Sequence, residues 1–211
     1  MRRLLMLALL LFSVMIPAPS PASDAVEFSA LFIEKDNGTE QRGKIYVAEN
    51  MSRYEIQGSN EVVVTRHDKK VIWLIFPKLR KYVEQPYLGD PKPNYSGDRE
   101  ADTGDLSREF LEHEMVDSYR LKKFLVTVKY INGESMDRYY EWYRDNFPVP
   151  VKTESLDGKT SYEYVNIKLG RPPIEFFSQP KGYKKITMEE LTEMEESTAK
   201  GNRRSQKWPE A

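Results

Sequence analysis

"VIWLIFP", Val71–Pro77, is the stretch on which the fold turns. Its length and its β-branched and aromatic content read as a strand, with a charged turn before it and a proline after. Successive side chains of a strand point to opposite faces. Val71, Trp73 and Ile75 therefore share one face, and Ile72, Leu74 and Phe76 the other. Both faces are apolar. A sheet with one wet face alternates apolar with polar residues, so both sides of this strand must leave water. "EVVVTR" (Glu61–Arg66) and "ALFI" (Ala30–Ile33) have the same character.

The segments on either side follow the same plan. "VEFSALFIEK" (Val26–Lys35) precedes an Asn37-Gly38 turn. "GKIYVAE" (Gly43–Glu49) and "SRYEIQG" (Ser52–Gly58) lead into Glu61–Arg66, and "KYVEQPY" (Lys81–Tyr87) closes a meander. Further on, Asn132-Gly133 within Lys122–Tyr143 and Asp157-Gly158 within Val149–Gly170 are strong hairpin signals. "IEFFSQPKGYKKI" (Ile174–Ile186) is the last β-like stretch. The expectation is about nine or ten short strands in an antiparallel array, since no alternating strand–helix order calls for a parallel sheet.

Two helices are expected. In "DLSREFLEHEMVD" (Asp105–Asp117), Leu106, Phe110, Leu111 and Met115 recur at helical spacing, with Asp105 as N-cap. At the other end, Thr187 and Glu190 form a T-x-x-E capping box, with Ile186 placed to staple onto Leu191. Only Met188, Leu191 and Met194 are apolar on this second helix, which predicts weak docking. Leu88–Asp105 reads as a long Pro-, Gly- and Asp-rich loop, and the sequence after Glu196 as a disordered polar tail.

Met1–Ala22 reads as a secretory signal peptide: Arg2 and Arg3, an apolar run at Leu4–Ile16, then small residues up to Ala22. An uncleaved N-terminal anchor is the rival reading. Residues 23–196 are expected to form one exported domain, periplasmic and not stably inserted in a membrane, with residues 197–211 as tail. The absence of cysteine excludes disulfides, thiolate metal sites and a cysteine nucleophile. The balance of 32 basic against 33 acidic residues offers no broad field for nucleic acid.

Signals for catalysis are lacking. His67 lies in a charged turn and His113 between two glutamates, neither at a metal-ligand spacing. No nucleophile elbow, phosphate loop or calcium-loop spacing occurs in the sequence. The expectation is therefore a protein that is not an enzyme, with no metal and no cofactor. Aromatic residues are more informative: three tryptophans, thirteen tyrosines and nine phenylalanines, many of them on strands. This much apolar strand surface is either core throughout or, in part, the lining of a cavity for an apolar ligand. The aromatic hairpin "DRYYEWYRDNF" (Asp137–Phe147) would alternatively suit a protein partner.

Five motifs in order resemble the LolA-like superfamily, and within it the uncharacterised bacterial group described as outer-membrane lipoprotein-sorting protein-like. They are "GKIYVAENMSRYEIQG", "VVVTRHDKKVIWLIFPKLRKYVE", "EMVDSYRLKKFLVTV", "YYEWYRDNFPVPVKTES" and "FFSQPKGYKKI", and the resemblance covers about Val26 to Ile186. Ser118 stands where this group often has glycine. The resemblance implies an α+β, mainly antiparallel fold: a curved, incomplete β-barrel with helices covering its concave side. It implies a carrier or binding protein for lipid or lipoprotein acyl chains, with an envelope protein-interaction or sensory module as the alternative. The candidate lining is drawn from Phe28, Phe32, Ile45, Tyr54, Ile56, Trp73, Ile75, Phe124, Val126 and Trp142, and the helix bearing Leu106, Phe110, Leu111 and Met115 would be the lid.

Overall fold

The computed structural model describes residues 26–88, 103–116, 118–130 and 136–194. The expected signal peptide, most of the Leu88–Asp105 loop, the Asn132-Gly133 turn and the tail after Glu196 lie outside the described residues. In chain order the strands are β1 (Phe28–Asp36), β2 (Thr39–Ala48), β3 (Met51–Ile56), β4 (Val62–Arg66), β5 (Val71–Phe76) and β6 (Lys81–Pro86). Then come β7 (Thr103–Val116), β8 (Tyr119–Tyr130), β9 (Met136–Tyr143), β10 (Lys152–Ser155), β11 (Thr160–Leu169) and β12 (Lys184–Ile186). A helix, α1, follows at residues 188–194. The described residues fall into two compact units: residues 26–88 with 151–194, and residues 103–150.

The first unit is an open sheet in the order β12-β6-β5-β4-β3-β2-β1-β11-β10. Its strand pairs are antiparallel except β12 with β6. The Asn37-Gly38 turn closes β1 onto β2 with both residues at positive φ, as a two-residue hairpin requires. The β4–β5 and β5–β6 links are built alike. Each is one 3-10 turn ended by a left-handed residue, Lys70 or Arg80.

β5 is dry on both faces because each face has its own cover. Trp73 and Ile75 join Val62, Val64 and Tyr82 in a core closed by Phe177, which comes from a 3-10 turn at Ile174–Phe177. Leu74 and Phe76 join Val83 and Ile186 in a second core closed by Leu191 of α1, with Met188 and Met194 packed against it. The capping box forms: Glu190 Oε2 accepts from the Thr187 amide at 2.8 Å, and Thr187 Oγ1 from the Glu190 amide at 3.2 Å. The helix docks through the three expected apolar residues, on a surface to which Ile186 of β12 also belongs.

Arg66, 8% exposed, ties the sheet to the 3-10 turn. Its Nη1 donates to the Phe177 carbonyl at 2.9 Å, while Nε and Nη2 make a bidentate pair with Asp68 at 2.8 and 2.6 Å.

The second unit is the meander β7-β8-β9. Here the expected helix over Asp105–Asp117 gives way to β7, a strand paired with β8 along its length. Leu106, Phe110, Leu111 and Met115 therefore lie on a strand and not on a lid helix. The physical reason is a bulge. Phe110 pairs with Phe124 and Glu112 with Lys123, so Leu111 is an extra residue in the ladder. Before the bulge, Leu106, Arg108 and Phe110 face one way; after it, His113 and Met115 continue that face. The resulting spacing imitates a helical stripe, and pairing with the β-branched and aromatic β8 overrides local propensity. Ser118, in the β7–β8 connection, sits at φ +72°, a conformation that favours glycine.

Candidate binding site

In the first unit, cross-strand register defines one continuous apolar row. Ala30 faces Ile45, Ile45 faces Tyr54, Tyr54 faces Val63, Val63 faces Leu74, and Leu74 faces Val83. Phe28, Phe32, Val47, Ile56, Tyr162 and Tyr164 lie on the same face by the same register. The end near β1 is aromatic. Phe32 stacks on Tyr162, with ring centroids 5.7 Å apart, and meets Tyr54 edge-on at 6.1 Å. Tyr164 meets Phe28 at 5.5 Å and Tyr162 at 5.0 Å, both edge-on. Burial, more than the neighbouring phenols, pushes the Tyr162 hydroxyl well above its usual range, so it stays protonated. Gly43 makes this packing possible: a Cβ there would strike the Glu55 carbonyl and come within 2.5 Å of the Phe32 ring.

The structure divides the expected lining between faces and units. Phe28, Phe32, Ile45, Tyr54 and Ile56 share the aromatic face just described. Trp73 and Ile75 lie on the opposite face, in the core closed by Phe177, while Ile72, Leu74 and Phe76 carry the aromatic-face side of β5. In the second unit, Phe124 and Val126 share a face with Leu106, Phe110 and Met115. Trp142 is on the other side of β9. There its Nε1 donates to Glu114 at 3.0 Å, and the Lys123 ammonium lies 4.9 Å from its ring. Leu106, Phe110, Leu111 and Met115 are all exposed.

The face bearing Phe124 also carries charge. Glu141 is 1% exposed, yet it accepts from Arg108 Nε at 2.8 Å and from the Tyr143 hydroxyl at 2.9 Å. Burial, followed by the Glu141 charge, raises the Tyr143 phenol so that it stays a donor. Burial opposes the Arg108 charge, but Glu141 more than offsets it and the guanidinium titrates above its usual value. An open cleft of about 400 Å³ lies beside this trio. Arg108, Lys122, Phe124 and Tyr143 line it, together with residues 144–148. The Phe147 amide donates to the Arg144 carbonyl at 3.2 Å and Asn146 adopts φ +62°, so a turn sets this wall.

The fold has solved counterparts. An uncharacterised conserved protein from Thermus thermophilus is 14% identical over 77% of this chain and 91% of its own, at a TM-score of 0.50. A structure of the Pseudomonas aeruginosa MucA/MucB complex matches at 12% identity and a TM-score of 0.48, over 77% of this chain but 59% of that one. No protein-family model and no curated protein matches this chain. At these identities the likeness is one of fold.

Sequence reasoning missed Arg108, Glu141 and Tyr143 as a unit. A signal was present in "YYEWY" (Tyr139–Tyr143), where strand alternation puts Glu141 between two tyrosines on one face. A carboxylate in that position needs a buried cation, and its partner lies on β7, which the helical spacing disguised.

Proposed function

We propose that this chain is an exported, non-enzymatic binding protein of the bacterial cell envelope that holds an apolar ligand, the acyl chain of a lipid or lipoprotein. The observation that carries this reading is the apolar row from Ala30 to Val83. It crosses six strands, whereas the α1 residues pack only against its Val63, Leu74 and Val83 end. The remainder is ringed by aromatic side chains and is itself buried, with Phe28, Ala30, Phe32 and Ile45 at most 6% exposed, so an alkyl chain would enter by parting those side chains. Each buried methylene contributes roughly 0.8 kcal/mol, so a single chain would supply most of the affinity. The signal-peptide-like N-terminus and the five LolA-like motifs support the same reading. Among the described residues no helix is long and apolar enough to cross a membrane.

A fluorescent acyl probe, dansyl-undecanoate, tests it. The wild-type chain should bind the probe in the micromolar range, and Tyr54→Glu, a charge in the middle of the row, should abolish binding while leaving the fold intact by circular dichroism. Probe binding unaffected by Tyr54→Glu would exclude this face.

A second reading is a protein-interaction module. Leu106, Phe110, Leu111 and Met115 on β7, and Tyr119 on β8, are all exposed. Co-purification of one envelope protein, lost on Phe110→Asp and unaffected by Tyr54→Glu, would favour it.

A further inference from the structure

We propose that the cleft beside Arg108 in the β7–β9 unit is an oxyanion site, recognising a phosphate group either free or as the headgroup of an amphiphile. It stands independently of the acyl-chain reading, because it uses other residues. Three cationic side chains, Arg108, Lys122 and Arg144, line the cleft, and Asp145 is its one acid. Asp145 is already engaged by Lys122, at 2.8 Å. Glu141 beneath the wall balances Arg108, so one positive charge remains in excess.

The cations are held in place before any ligand arrives. Glu141, almost fully buried, fixes Arg108 through Nε. The Arg108 Nη2 is out of water and has no hydrogen-bond acceptor. A buried donor without an acceptor is costly, and a small turn of the guanidinium that opened Nη2 to the cleft Arg108 lines would let an oxyanion oxygen accept from it. Arg144 is set by its turn, with its guanidinium 4.3 Å from the centre of the Tyr119 ring. That contact leaves its N–H edge for planar, charge-assisted recognition. Phe124, Phe147 and Pro148 are also in the lining and offer apolar contact to whatever the phosphate is attached to. A volume of about 400 Å³ lies within the range of small-molecule sites.

The test is calorimetry on the full chain at low salt with three probes: inorganic phosphate, octyl phosphate and octyl glucoside. The site predicts binding of at least one phosphate probe. Equal binding of both assigns a free anion, and much tighter binding of octyl phosphate assigns an amphiphile headgroup. Two surface variants should move affinity in opposite directions: Arg144→Gln weakens phosphate binding roughly ten-fold, and Asp145→Asn strengthens it. A merely structural role for these residues would not give opposite signs. Failure of both phosphate probes, equal binding of octyl glucoside and octyl phosphate, or indifference to both variants would overturn the proposal.

Discussion

Trp73 and Leu74 are neighbours in the chain and belong to different cores. Trp73 packs in the cluster closed by Phe177, and Leu74 in the one closed by Leu191. β5 is thus a wall shared by two apolar compartments, and no residue is common to both clusters. Ile75→Val should cost about 1 kcal/mol and Leu191→Ala about 2–4 kcal/mol. With no shared partner, the double variant should equal the sum within ~0.5 kcal/mol. Urea unfolding checks this, and a coupling well beyond that margin would mean the two compartments communicate through the sheet.

Gly43 is required by contact rather than by backbone conformation, since its φ is ordinary and a Cβ would meet the Glu55 carbonyl and the Phe32 ring. Gly43→Ala should destabilise by about 1–3 kcal/mol. Shrinking the ring in Gly43→Ala/Phe32→Leu should recover part of the loss by thermal unfolding, because only the ring and not the carbonyl is relieved.

Ser118 holds a left-handed conformation in the β7–β8 connection. Ser118→Gly removes the Cβ conflict and should raise stability by roughly 1 kcal/mol. An unchanged or lowered melting temperature would show that this connection relaxes at no cost.

The Asp68 carboxyl titrates below the ordinary aspartate value, chiefly through its hydrogen bond to Arg66. A carboxylate depressed in the folded state stabilises above its unfolded value and loses that contribution as pH falls through the folded one. Stability should therefore decline below about pH 4. In Asp68→Asn this part of the acid dependence should disappear while the rest of the profile persists. The gain is modest because Asp68 is more than one-third exposed.

Much of this architecture could be read from local chemistry. The two dry faces of Val71–Phe76 follow from alternation alone, and the Thr187/Glu190 box from the reciprocal bonds its spacing allows. What closes each face of β5 was not legible, because Phe177 and Leu191 arrive from about a hundred residues away. Nor was the bulge at Leu111, since one extra residue turns a period of two into a helical-looking stripe. The same limit governs the candidate site: a single step of register decides that Leu74, and not Trp73, shares the face of Phe28. The Arg108–Glu141 pair needs β7 to be recognised as a strand before its two halves can meet.

The central claim is that the row from Ala30 to Val83 holds an apolar chain. Native mass spectrometry of the protein purified from a bacterial periplasm, followed by lipid extraction, tests it most directly. A bound species that survives gentle desolvation, is released on unfolding and carries an acyl chain is the predicted result. A bare chain at its own mass, with no acyl-bearing species in the extract, would contradict it.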